Sequence, residues 1–275
     1  MPELPEVETI VRELAPRLRG RRIRTVTLRK TDILRGVSKP RLLRVLTGNR
    51  FQSVARRAKH AVFLLASGER MIVQPGMTGS MIVHSRALSR DESRYAVLTC
   101  VLDNRKLFVY RDVRRLGTIL LLDDTGWARY SEAIGPEPLD AGFTPDVLAE
   151  RIGGLKAAIK KVIMDQKRLA GVGNIYANEA LFNARIDPSR PAGGLDPRET
   201  KALHAAIVDI LRRAIASSGT TFRDYRTGTG ERGNFQLELN VYGRGGEPCR
   251  NCGHRLATTH AIDARATTVC AWCQR

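Results

Sequence analysis

The chain has 275 residues, 43% of them hydrophobic, which is long and apolar enough for a folded protein of one large or two to three small domains and excludes a largely disordered one. Lys and Arg number 46 against 28 Asp and Glu, a formal charge of +18 that calls for a polyanionic partner, nucleic acid first, although ribosomal or general chromatin binding would carry the same charge. No run of eighteen apolar residues exists and the opening MPELPEVETI has no basic start, so neither a membrane span nor a signal peptide is expected and the cytoplasm is the expected compartment.

The first predicted element is a helix over 6–19. Val7, Ile10, Val11, Leu14 and Leu18 recur at three- and four-residue spacing, and Gly20 stops the run. Strand-like runs follow at Ile23–Leu28, Phe51–Val54, Ala61–Ala66, Met71–Val73, Ser80–Val83, Tyr95–Leu102, Lys106–Tyr110 and Thr118–Leu122. Many short strands at close spacing predict an antiparallel sandwich or barrel. Residues 1–132 are therefore expected to form a β-rich domain led by a helix. The stretch Gly135-Pro-Glu-Pro-Leu reads as a linker, after which the period becomes helical over 145–152, 155–164, 174–184 and 197–217. Thr144-Pro145 and Asp196-Pro197 each place a capping side chain before a helix-starting proline. A glycine-bearing polar segment over 219–235 reads as a flexible loop. The expected helical domain is 133–235, and 236–275 forms a small tail domain.

That tail carries four of the five cysteines as Cys249-x2-Cys252, seventeen residues, Cys270-x2-Cys273. In a cytoplasmic protein two such pairs predict a tetrahedral four-thiolate site holding one structural Zn2+ inside a β-hairpin, with no open position for catalysis. His254 and His260 are expected at the surface, and Cys100 in the core. Arg265, just before the second pair, suits a contact with a phosphate, or plain solvation.

The N-terminus offers chemistry of another kind. A proline at position 2 favours removal of Met1, leaving a secondary amine whose pKa lies near 8, so that a useful fraction is neutral and nucleophilic. Attack on an aldehyde-like carbon gives an iminium, an electron sink for elimination, with Glu3 adjacent as general acid. Many chains begin Met-Pro without such chemistry, so the residues alone leave this open.

Four blocks together carry a family resemblance: Pro2-Glu-Leu-Pro-Glu-Val-Glu-Thr9; Arg57-Ala-Lys59; the run from Asp165 through Gly171-Val-Gly173-Asn174 to Glu179; and Asn240-Val-Tyr-Gly-Arg with the cysteine tail. Across its whole length the chain resembles bacterial formamidopyrimidine-DNA glycosylase. The resemblance implies an α+β multidomain fold: an N-terminal β-sandwich with a leading helix, a helical domain with a helix–two-turns–helix motif, and a C-terminal zinc-finger β-hairpin. It implies a bifunctional enzyme, acting as a monomer near the nucleoid, that binds double-stranded DNA containing oxidised bases or abasic sites across a cleft and flips the damaged nucleotide out. Pro2 would attack C1′, Glu3 would move protons, and Lys59 would contact phosphate and the base side. Asn174 and Arg265 would grip the flanking phosphates, with Lys160 as a further DNA contact. Met77, Arg114 and Leu116 would fill the space left by the flipped nucleotide.

Departures from the family pattern bear on the substrate. Leu116 stands where phenylalanine is usual, Gln74-Pro75 where His-Leu is usual, and Asn234 where tyrosine is usual. The sister family, endonuclease VIII, prefers oxidised pyrimidines and usually opens Pro-Glu-Gly-Pro-Glu. Leu4 favours the formamidopyrimidine branch, whereas Leu116 and Gln74 keep the sister reading open. The alternative of another class is a non-catalytic DNA-binding paralogue, against which Pro2, Glu3 and Lys59 speak.

Overall fold

Helix α1 (Leu4–Leu18) takes Pro5 in its first turn, where a missing N–H costs nothing, and buries Leu4, Val7, Ile10, Val11, Leu14 and Leu18 on one stripe. A computed structural model describes residues 1–221 and 225–275, and residues 222–224 of the expected 219–235 loop lie outside the described residues. The chain divides into two units, Met1–Glu132 with Ser217–Gln236, and Ala133–Ala216 with Leu237–Arg275. Residues 217–235, assigned to the helical domain on sequence, and Gln236, assigned to the tail, thus cluster with the first unit.

The first unit is the expected sandwich. Strands β1 (Ile23–Leu28), β6 (Ala96–Leu102), β7 (Leu107–Asp112) and β5 (Gly79–His84) form one antiparallel sheet in the order β1-β6-β7-β5. Strands β2 (Phe51–Arg57), β3 (His60–Leu65), β4 (Arg70–Gln74) and β8 (Thr118–Leu122) form the other, also antiparallel, in the order β2-β3-β4-β8. Their inner faces meet over Phe51, Phe63 and Phe108, whose rings lie 5.2–5.9 Å apart, and the stripe of α1 joins the same core. Three helices of this unit carry too little apolar period to be read from sequence. In α2 (Lys39–Leu46) only Leu42 and Leu46 are buried, and in α3 (Arg90–Arg94) and α4 (Asp124–Glu132) no residue is. Cys100 lies fully buried as expected, and burial pushes its thiol up to about 12.

The second unit holds helices α5 (Pro145–Ile152), α6 (Ile159–Met164), α7 (Asn174–Asn183) and α8 (Pro197–Ala216), followed by the hairpin β9 (Ala257–Thr259) and β10 (Thr267–Val269). The double turn between α6 and α7 is stapled by one side chain. Gln166 donates to the carbonyls of Met164 and Val172 and accepts the N–H of Gly171, each at 2.9 Å. Gly171 sits at φ 79°, a conformation that other residues rarely adopt. Among the described residues no helix is long and apolar enough to cross a membrane.

Candidate active site and nucleic-acid interface

Pro2 and Glu3 lead directly into α1, with Glu3 as its N-cap. Pro2 is buried and Glu3 is 4% exposed. Glu6, three residues on and equally buried, accepts the Glu3 N–H at 2.8 Å through Oε2 and the Thr220 N–H at 2.8 Å through Oε1. Tyr225 donates its hydroxyl to the carbonyls of Glu6 and Ser218, both at 3.2 Å. Thr220 and Tyr225, in the segment expected to be flexible, are therefore each tied to the start of α1, and Phe235 at the segment's end is fully buried. The amine at the start of the chain, on Met1, is pushed below its ordinary value of 8.0, first by burial and then by Lys59 and Arg114, while Glu3 and Glu6 pull the other way. These four charged side chains thus act on one nitrogen.

Lys59 is brought there by a tight turn. Arg57 and His60 pair across the β2–β3 hairpin, leaving Ala58 and Lys59 as the turn, with Ala58 in the left-handed region at φ 51°. A conformation this costly for alanine persists only where its surroundings fix it. Arg56 supplies one fixture, donating to the Ala58 carbonyl at 3.1 Å and to Glu8 of α1 at 2.7 Å. Arg57 supplies another by donating to the hydroxyl and carbonyl of Ser131 at 3.1 Å. His60 is held below its ordinary value by burial, which favours the neutral ring. Its Nδ1 faces the Arg57 carbonyl at 3.1 Å, which only accepts, so Nδ1 carries the proton and Nε2 accepts the Tyr130 hydroxyl at 3.0 Å. Lys59 itself ends 5% exposed.

Met77, Arg114 and Leu116 stand out from two loops of the same unit. Met77 is 42% and Leu116 59% exposed, and Arg114, two residues before Leu116, is exposed as well.

In the second unit α7 begins at Asn174 after Gly173. The Asn174 amide donates to the carbonyl of Ala266 at 3.0 Å, which fixes it against the residue next to the exposed Arg265. Asn178 adds a second tie, accepting the Thr268 N–H at 2.8 Å. A groove of about 430 Å³ lined by Lys161, Asp165, Arg168, Asp263 and Arg265 lies beside it, with three cations to two carboxylates. Lys160 is a correction to the sequence reading. It is fully buried, and its ammonium donates to Asp263 at 3.1 Å and Thr267 at 2.7 Å, so it does not face a ligand. The family resemblance made Lys160 a further DNA contact, but here the helix turns it inward to an acid 103 residues away.

The four tail cysteines converge. Their sulfurs all lie within 4.8 Å of one another, with Cys252 to Cys270 at 3.4 Å and Cys249 to Cys273 at 4.0 Å. A tetrahedral ion bound at about 2.3 Å from each sulfur requires edges of about 3.8 Å, so the cluster fits a metal ion. His254 is not in the cluster. It stacks on Trp272 with ring centroids 4.4 Å apart, and His260 is exposed.

Several residues that build this site have no single-residue signal. Glu6 was legible only as the carboxylate three positions after an N-cap. Glu179, fully buried, accepts three N–H groups, from Asn240, Val241 and Tyr242 at 2.8–2.9 Å, and so anchors the run leading to the cysteines. Nothing in the chain order links those positions.

Comparison with known proteins places the chain among relatives along its whole length. The model of the formamidopyrimidine-DNA glycosylase N-terminal domain matches residues 1–119, and that of the formamidopyrimidine-DNA glycosylase H2TH domain matches residues 134–226. The formamidopyrimidine-DNA glycosylase of Desulfitobacterium hafniense is 41% identical over 280 residues, with 100% of both chains covered. That of Stenotrophomonas maltophilia is 42% identical over 278 residues, again covering 100% of both. Among solved structures, the Lactococcus lactis Fpg in complex with abasic-site DNA superposes with a TM-score of 0.92 at 32% identity over 99% of each chain. MutM (Fpg) from Thermus thermophilus superposes with a TM-score of 0.86 at 34% identity, over 99% of this chain and 98% of that one.

Proposed function

The chain belongs to the formamidopyrimidine-DNA glycosylase family, and on that footing we propose a bifunctional DNA glycosylase and abasic-site lyase of base excision repair. It acts in the bacterial cytoplasm, at the nucleoid, as a monomer on double-stranded DNA. Its substrates are oxidised purines, 8-oxoguanine and formamidopyrimidines, together with abasic sites. The observation that carries the chemistry is the set of charges around the chain's first nitrogen: Glu3, Glu6, Lys59 and Arg114.

With Met1 removed, the Pro2 nitrogen becomes a secondary amine in those surroundings. Burial and nearby cations favour its neutral form, which has the lone pair needed for attack. The nitrogen bonds to C1′ of the flipped nucleotide and the C1′–base bond breaks, its electrons leaving on the base. Glu3 delivers a proton to the sugar ring oxygen or the leaving base, the ring opens, and an iminium forms at C1′. The iminium acidifies C2′, so loss of a proton there expels the 3′ phosphate. A second elimination expels the 5′ phosphate, and hydrolysis frees Pro2. Lys59 holds phosphate near the reacting sugar. Asn174 and Arg265 bind the phosphates flanking the lesion, and Met77, Arg114 and Leu116 occupy the gap in the duplex.

Cys249, Cys252, Cys270 and Cys273 hold one Zn2+, a structural ion with no open coordination position. It shapes the hairpin that carries Arg265, and no chemical step passes through it. Lys160 serves the same hairpin from inside, through Asp263 and Thr267.

Excision measured side by side on duplexes carrying 8-oxoguanine, a formamidopyrimidine and an oxidised pyrimidine tests the assignment. Excision of the two purine lesions is expected. Excision of the pyrimidine alone would transfer the protein to the endonuclease VIII reading, which Leu116 in place of an aromatic ring favours. No excision and no lyase activity would make it a binding paralogue.

A further inference from the structure

Six large apolar side chains stand exposed among the described residues, and three of them sit on just two loops: Met77 after β4, and Val113 and Leu116 after β7. Apolar side chains on short loops gain by folding back out of water, so something must hold these loops open. The holder is a buried carboxylate. Asp112, the last residue of β7, is 1% exposed. Its Oδ2 accepts the N–H of Gly117 at 2.8 Å and the hydroxyl of Tyr110 at 3.2 Å. Its Oδ1 accepts the Thr78 hydroxyl at 2.5 Å. The Thr78 oxygen in turn accepts the backbone N–H of Arg114 at 2.9 Å. Both loops therefore hang from one acid: the 75–79 loop through Thr78, and the 113–117 loop through Gly117 directly and Arg114 at one remove.

The packing around this acid leaves no slack. A Cβ on Gly117 would lie 2.0 Å from the Tyr110 hydroxyl, and one on Gly76 would lie 2.7 Å from the Gly117 nitrogen. Two glycines are thus required where the loops cross, because any side chain would push them apart. Three donors converge on Asp112, and with the side chain buried little water competes for those bonds.

We infer that Asp112, acting through Thr78 and Gly117, is a positioning residue that sets Met77, Arg114 and Leu116 in their inserting geometry before DNA arrives. Selectivity for the base opposite the lesion then depends on a side chain that touches no base. Arg114 has only donors to offer, which match the O2 and N3 acceptors of a cytosine opposite the lesion and not the amino group of an adenine, and that match depends on where its backbone is fixed. A loop fixed in advance loses less freedom on binding and tolerates fewer partners. This inference rests on the proposed insertion of those three residues into the duplex.

The test uses the full-length zinc-loaded protein with single-turnover excision of 8-oxoguanine opposite cytosine and opposite adenine. Thr78→Val keeps the shape of the side chain and removes the link between Asp112 and Arg114. It is expected to lower the cytosine-over-adenine ratio about tenfold. Thr78→Ser, which keeps the hydroxyl, is expected to restore most of that ratio, a rescue that mere packing would not give. Asp112→Asn offers one acceptor oxygen to three donors and is expected to lower the ratio at least as far as Thr78→Val. Borohydride trapping on single-stranded abasic DNA, which has neither partner base nor gap, is expected to fall by less than the ratio does. If Thr78→Val folds and keeps the full ratio while Arg114→Ala loses it, Asp112 does not position the reader and the inference is overturned. If Arg114→Ala also keeps the ratio, the insertion reading itself fails first.

Discussion

The Glu6 carboxylate accepts the backbone N–H of Glu3 at 2.8 Å on one oxygen and that of Thr220 at 2.8 Å on the other. One buried acid thereby links the residue beside the proposed nucleophile to a segment more than two hundred positions away in sequence. Glu6→Gln has a single carbonyl oxygen for two donors, so one N–H must face an NH2 group, at a cost of about 1–3 kcal/mol. Single-turnover excision is expected to fall about tenfold or more, and amide exchange over 217–221 to rise. Unchanged rate and exchange would show that the link is idle.

Glu8 connects α1 to the Lys59 turn, since Arg56 bonds both Glu8 and the carbonyl of Ala58. Burial alone would raise the Glu8 carboxyl, but the Arg56 and Arg12 donors outweigh it and hold the group below its ordinary 4.5. A depressed folded value means that the pair stabilises the fold above pH 4.5 and loses that contribution as pH falls through the depressed value. Wild type is expected to exceed Glu8→Gln in unfolding free energy by about 1–3 kcal/mol at pH 7. The difference should shrink steadily as the pH drops below 4.5. A gap independent of pH in thermal melts would rule out this linkage.

Lys160 distinguishes an internal tie from a DNA contact. Removing the ammonium leaves Asp263, whose side chain is 11% exposed, without its cation. Lys160→Met is expected to destabilise the second unit by about 3–5 kcal/mol. Adding Asp263→Asn should recover a good part of that loss. DNA affinity should decline with the melting temperature and recover with it. A variant with normal stability and weakened binding would return Lys160 to the DNA surface.

The sulfur cluster leads to a simple metal test. Metal analysis is expected to find about one zinc per chain. Cys270→Ser should lower both zinc content and DNA affinity, because the hairpin takes its shape around the ion. Arg265→Ala should lower affinity and leave zinc in place. A protein stripped of metal that binds DNA normally would contradict the structural role.

The parts legible in sequence were those with a short period or a fixed spacing. The stripe from Val7 to Leu18, the eight strand runs and the two Cys-x2-Cys pairs each repeat within a few residues, so local physics alone reveals them. Helix α4 was hidden because it buries none of its residues. Asp112, Glu179 and Asp263 were hidden for a different reason. Their partners lie on other elements, and a buried carboxylate looks like any surface acid until the fold surrounds it with donors. Lys160 illustrates the reverse error: the resemblance made it a DNA contact, whereas the acid that holds it inside comes from the hairpin.

The most direct measurement is borohydride trapping of the protein on abasic-site DNA, followed by proteolysis and mass spectrometry of the crosslinked peptide. The proposed mechanism predicts a peptide that begins at Pro2, lacks Met1 and carries the sugar remnant on the Pro2 nitrogen, with Pro2→Gly forming markedly less adduct. An adduct mapped to Lys59, or full incision by protein that retains Met1, would contradict it, because the Pro2 nitrogen would then not be the one that attacks.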